Sequence, residues 1–277
     1  MTPSAAAGVE TTWSFAPVIL LALAGYLVVY VARWRTARGE GGARAAGGWR
    51  LAAWCGGIAT LFVAIISPID GLGEQFAAMH MVQHLLIADI AAILLTLGLT
   101  RWILRPATRR IQRIERAAGP FASPWFGVVA YIGAMWFWHV PALYDAALEH
   151  PAVHSLEHLS FAAAGLLYWW HLLSPIRSRR RLAGMAAVAY MTVTKLLVGL
   201  LGVVLAFSPD PLYDSYDRTD LRWGLSALDD QRVAGLIMGL EQSIVMGIAL
   251  AWLFVRMLSE SEQAEQRAER YPARTDR

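Results

Sequence analysis

The sequence predicts an all-α, polytopic membrane helical bundle with seven transmembrane helices, the N-terminus outside and the C-terminus cytoplasmic. Three observations predict it. Of 277 residues, 57% are hydrophobic and 16% charged, with mean hydropathy +0.43; soluble domains carry about 25% charged residues. The hydrophobic residues gather into runs long enough to span a bilayer. The basic residues gather between alternate runs, as topology requires of a membrane protein.

The runs cover residues 15–32, 49–66, 77–99, 125–140, 151–173, 182–207 and 230–257, leaving 258–277 as a cytoplasmic tail. Arg33, Arg35, Arg38, Arg44 and Arg50 follow the first run. Arg101, Arg105, Arg109, Arg110, Arg113 and Arg116 follow the third, and Arg177, Arg179, Arg180 and Arg181 the fifth. The tail holds Arg256, Arg267, Arg270, Arg274 and Arg277. Twenty of the 24 basic residues thus share one side, with Arg218, Arg222 and Arg232 opposite and Lys195 inside a span. The positive-inside rule makes the Arg-rich side cytoplasmic, and an odd number of spans follows. The other loops are acidic, with Asp70, Glu74, Asp145, Glu149, Asp210, Asp214, Asp217, Asp220, Asp229 and Asp230. That face suits a cation or a basic partner.

Composition also excludes functions. The formal charge is only +3, and the arginines sit beside spans, so nucleic acid is not expected as a partner. The single cysteine, Cys55, rules out an internal disulfide or a paired-cysteine site. No lysine or arginine occurs in the first fifteen residues, so a cleaved signal peptide is not expected. No nucleophile–base arrangement or phosphate loop stands out, and the chain reads as a non-enzyme.

The third run opens Met79-His80-Met81-Val82-Gln83-His84-Leu85-Leu86. His80 and His84 lie about 40° apart on one helix face, with Met81 about 60° beyond His84. The fifth run repeats the four-residue spacing at His154 and His158, with Glu157 beside them, and His139 closes the fourth run. With the topology above, all of these fall within roughly 10 Å of the outer boundary; His171 alone falls near the cytoplasmic side. Two such helices facing each other present four imidazoles to one centre, with His139 or Met81 as an alternative ligand. Imidazole suits copper, zinc and haem iron, and thioether favours copper(I). Three charges lie at mid-span, Asp89, Lys195 and Glu241. Such charges are costly unless paired, so Lys195 is expected to pair with Asp89 or Glu241. Asp229-Asp230 reads as a helix cap, and Gly199/Gly202 with Gly235/Gly239 as a close-packing face.

The first motif, the stretch from Trp138-His139-Val140-Pro141 through Glu157-His158, and Asp230-Gln231-Arg232-Val233-Ala234-Gly235 together resemble the three signatures of the CtaG-type bacterial cytochrome c oxidase assembly proteins. The resemblance runs from the second span to the seventh. It departs from the family where prolines usually follow the first motif, here Ala88-Asp89-Ile90-Ala91-Ala92. It departs again where Trp and Pro follow the last, here Gly239-Leu240-Glu241. What it implies is a role in maturing haem-copper oxidases in the bacterial cytoplasmic membrane. The partners would be the oxidase subunit carrying the copper centre, a soluble periplasmic or extracellular copper donor, and the lipid bilayer. The leading expectation is a membrane assembly factor that binds copper at the outer His/Met site and delivers it to the oxidase. The alternatives are a b-type cytochrome with His84 and His158 as haem ligands, or an ion- or proton-coupled transporter using Asp89, Lys195 and Glu241.

Overall fold

Pro17, Pro68, Pro124, Pro141 and Pro151 each stand in the first turn of a helix, where a missing N–H costs nothing. Between them the apolar runs propagate as helix. The computed structural model describes residues 9–176, 182, 184–216 and 221–270. Its helices are α1 (Pro17–Ala45), α2 (Gly48–Ile66), α3 (Pro68–Gly73), α4 (Ala77–Leu85), α5 (Ala92–Gly98), α6 (Thr108–Ala117), α7 (Pro124–Trp138), α8 (Pro141–Glu149), α9 (Pro151–Leu173), α10 (Met185–Phe207) and α11 (Ala227–Arg270). A π-helical turn, Leu86–Ala91, joins α4 to α5 into one continuous rod. There are no strands among the described residues.

Five helices are long and apolar enough to cross a membrane: α1, α2, the α4–α5 rod, α10 and the 227–263 part of α11. The protein is therefore a membrane protein, but the count differs from the seven runs. The fourth run stops at Trp138, and α7 reaches span character only together with α8, from which it is bent by 76°. Pro141 enforces that break by starting a new helix. The fifth run forms α9, whose 23 residues reach about 34 Å. It carries His154, Glu157, His158 and His171, and so falls short in apolarity. Helix α1 runs on past residue 32 to Ala45, and α11 runs on past residue 257 to Arg270, so the expected tail is helical as far as Arg270. Arg177, Arg179, Arg180, Arg181, Asp217, Arg218, Asp220, Arg274 and Arg277 lie outside the described residues, as do the side chains of Arg256 and Arg267.

The α4–α5 rod is the most buried of the five spans and packs against α2, α9 and α11. Met81, Ile87, Ala88 and Ala92 on it join Tyr131, Met135, Phe161, Tyr168 and Trp169 in the core. Helix α9 touches the rod backbone to backbone. A Cβ at Gly165 would lie 2.0 Å from the Ala88 carbonyl oxygen, so only glycine permits this approach. Gly202 of α10 and Gly235 of α11 make the corresponding contact, whereas a Cβ at Gly199 or Gly239 would meet nothing within 4 Å.

The last span also holds the first motif in place. Asp230, fully buried, accepts hydrogen bonds from the backbone N–H of Ala77 (2.9 Å) and Ala78 (3.1 Å). It thus caps α4 rather than its own helix. Ser226 caps α11, its Oγ accepting from the Asp229 N–H and its hydroxyl donating to the Asp229 carboxylate. Two charge-assisted bonds to a helix N-terminus are worth about 1.5–3 kcal/mol each when buried. Asp230→Ala should therefore destabilise the protein by at least about 2 kcal/mol, read as earlier unfolding in detergent, whereas Asp229→Ala should cost about 1 kcal/mol.

The expected mid-span pairing differs for one of its acids. Asp89 Oδ2 accepts from the Tyr131 hydroxyl at 2.5 Å, and Oδ1 from Trp169 Nε1 at 2.8 Å. Two aromatic donors, both invisible to a charge count, satisfy this acid in place of Lys195. Lys195 Nζ donates to Ser243 Oγ of α11 at 3.3 Å.

Candidate metal centre

Helices α4 and α9 set the geometry. Each carries histidines one turn apart, and each pair faces the other helix. The ring centroids of His80 and His84 are 4.2 Å apart, as are those of His154 and His158. Across the interface His80 lies 5.5 Å from His154, with the rings nearly parallel, and His84 lies 5.8 Å from His158. His80 and His84 are buried, while His154 and His158 are half-buried.

Glu157 projects into the middle of this group with no solvent exposure. Its Oε2 lies 3.6 Å from His80 Nε2 and its Oε1 lies 3.4 Å from His84 Nε2. The ligand atoms fall into two groups, each within 4.8 Å: His80, His154 and Glu157, and His84, His158 and Glu157. The four imidazoles therefore do not converge on one point as the spacing alone suggested; they form two tiers that share the carboxylate. Glu157 is the residue that sequence reasoning undervalued. The signal was there, because it is the only carboxylate in its run and is flanked by His154 and His158.

Beyond the two Glu157–imidazole ion pairs, the polar atoms of this group have no partners. Both nitrogens of His80 and of His84, Nε2 of His154 and of His158, and both oxygens of Glu157 are buried without a hydrogen bond. Leaving one such group unsatisfied costs about 1–3 kcal/mol, and native interiors rarely concentrate eight of them. A cation bound between the rings would satisfy them together. Neutral imidazoles and one carboxylate are a donor set that fits such an ion.

His139 and Met81 sit beside the lower tier, that of His84 and His158. His139 Nδ1 is 2.6 Å from the Met135 carbonyl, which can only accept, so Nδ1 carries the proton. That leaves the Nε2 lone pair facing Met81 Sδ at 3.3 Å. The His139 ring is 6.3 Å from that of His84. An imidazole lone pair beside a thioether sulfur suits copper(I). Tyr144 roofs the group, 4.9 Å from His80 and stacked at 3.8 Å on Tyr213, whose hydroxyl donates to the His139 carbonyl.

A cleft of about 500 Å³ reaches the group from the side of α3, with Asp70, Glu74, His154 and His158 on its wall. Asp70 is held there by Ser14 Oγ and by Gln83 Nε2. Burial, with Asp70 close by, lifts the Glu74 carboxyl above its usual range, and His80 works against this.

The remaining sequence candidates lie elsewhere. His150 occupies the N-cap position of α9 but its side chain makes no capping bond. His171 lies in the last turn of α9, about 20 Å from His158 at 1.5 Å per residue, and lines a separate cavity with Ile111, Ile114 and Trp170. Cys55 is exposed on α2. The contact of Gly165 with Ala88 brings the rod and α9 together two turns along from His158.

The family model described as cytochrome c oxidase caa3 assembly factor matches residues 25–260, nearly the whole chain. No curated protein and no solved structure matches it. The matched region contains α2 to α10 entire, including every histidine of the group and the Asp230 that holds α4. The chain belongs to the cytochrome c oxidase caa3 assembly factor family.

Proposed function

We propose that this assembly factor binds copper in the group formed by His80, His84, His154, His158 and Glu157, and delivers it to the copper centre of the client oxidase. The observation that carries the reading is the buried cluster of four imidazoles around Glu157 between α4 and α9, its eight polar atoms lacking any hydrogen bond of ordinary length. Family membership supplies the client, and the donor chemistry supplies the metal. His139 and Met81 form the softer donor pair at the edge, suited to handing a cuprous ion onward. The cleft that carries Asp70 and Glu74 on its wall gives a cation a route toward His154 and His158. A soluble copper donor would load the protein from that side.

The orientation belongs to the same proposal. With α7–α8 counted as one bent span and α9 as another, the helices make seven crossings. The arginine distribution then puts the N-terminus and the histidine group outside, in a bacterial cytoplasmic membrane. A cysteine introduced at Gly42 or Arg113 should resist an impermeant thiol reagent in intact cells, and one at Asp217 should react. The opposite labelling pattern would overturn the orientation and with it delivery to an outer copper centre.

Copper content of the purified protein tests the binding itself. Protein loaded with cuprous ion under reducing conditions and then desalted should retain copper, and a spectrum should show no Soret band. Protein that retains none under those conditions would refute the reading.

A further inference from the structure

We infer that the centre is dinuclear: it takes two monovalent copper ions, one per tier, bridged by the Glu157 carboxylate. The inference rests on the copper reading above and adds to it the number and charge state of the ions. The argument starts from the two ligand groups. Each contains one imidazole from α4 and one from α9, and each uses Glu157 as the third donor. The two carboxylate oxygens are divided between the tiers, Oε2 toward His80 and Oε1 toward His84. A carboxylate placed this way bridges two ions about 3.5–4 Å apart, the separation usual in two-metal sites. A single ion would need nitrogens within roughly 4 Å of one another. The ligand atoms instead gather into two sets of three, each within 4.8 Å, that share only Glu157, and across the interface the paired rings lie 5.5 and 5.8 Å apart.

The ionic charge follows from the same inventory. Glu157 is the one carboxylate in either ligand group. Two monovalent ions leave the neutral imidazoles and Glu157 with a net charge of one. Two divalent ions leave a net charge of three. The cost of a buried charge rises steeply with its magnitude in a low-dielectric setting, and nothing else within the groups offsets it. Two imidazoles and a carboxylate oxygen also give each ion three donors, a number that suits cuprous copper. The thioether of Met81 beside the lower tier belongs with the same oxidation state.

The test is a stoichiometry. The full-length protein in detergent is loaded anaerobically with excess cuprous ion, washed with a chromogenic cuprous chelator, and its copper measured per chain by mass spectrometry. Two ions per chain are expected, with a metal–metal scattering shell in X-ray absorption. The double variant His80→Asn/His154→Asn should retain one ion, and so should His84→Asn/His158→Asn. Glu157→Gln, which keeps the shape and removes the charge, should weaken retention of the second ion at least tenfold. One ion per chain in the wild-type protein, lost with either double variant, would overturn the dinuclear assignment and leave the copper reading standing. No retained copper at all would overturn both. The wild-type count decides the matter even where a variant fails to fold, which gel filtration and helical circular dichroism would reveal.

Discussion

Replacing His80 and His84 together by alanine should abolish copper retention and leave the client oxidase without its copper centre. Each tier would keep only one imidazole and a share of Glu157. Loss of a residue that merely orients a ligand typically costs 10–100-fold in metal affinity, so loss of one ligand from both tiers should cost more than about a hundredfold. Two readouts check this: copper per purified chain, and the copper-centre absorbance and turnover of oxidase in membranes from cells carrying the variant. His171→Ala should change neither, because that ring sits at the far end of α9 against Ile111 and Trp170. Copper retention unchanged in the double variant would remove the centre from this helix pair altogether.

Gly165→Ala should disable the protein almost as thoroughly, without touching a ligand. The new methyl group would lie 2.0 Å from the Ala88 oxygen and under 3 Å from two more backbone atoms of the rod. Backbone cannot rotate aside as a side chain can, so α9 must move away from α4 and α5. Overpacking of this kind costs about 1–3 kcal/mol, sometimes more, and outweighs the roughly 1 kcal/mol that alanine gains over glycine in a helix. The displacement falls two turns from His158, so the tiers should open and copper retention should drop at least tenfold. Gly133→Ala is the matched control. Its Cβ would meet nothing within 4 Å, and the propensity gain should leave stability unchanged or slightly raised. Thermal unfolding and copper retention of the two variants, side by side, give the comparison; equal behaviour would mean that the close approach is not needed.

How far the sequence carried can be judged residue by residue. The helices were legible because hydrocarbon length and arginine placement leave a mark on composition. The two histidine pairs were legible because a four-residue step puts side chains on one helix face. The two-tier division was not, since it depends on how far α4 and α9 slide past each other, which backbone contact at Gly165 and Ala88 decides. Asp89 was legible as a buried acid, yet its donors, Tyr131 and Trp169, are neutral aromatic groups on other helices. The 76° bend between α7 and α8 was not legible, because a hydropathy window does not register a change of direction.

The Asp230 cap sets an order of events in time. The amides of Ala77 and Ala78 find their acceptor 153 and 152 residues later in the chain. At translation rates of about 5–20 residues per second, roughly 8–30 seconds separate synthesis of the His80–His84 helix from synthesis of the residue that fixes its end. During that interval all four histidines are made, yet α4 lacks its anchor. A ribosome that stalls or a protease that clips the chain before residue 230 therefore leaves a histidine group without its final geometry. The final geometry of the histidine group thus arrives with the last helix.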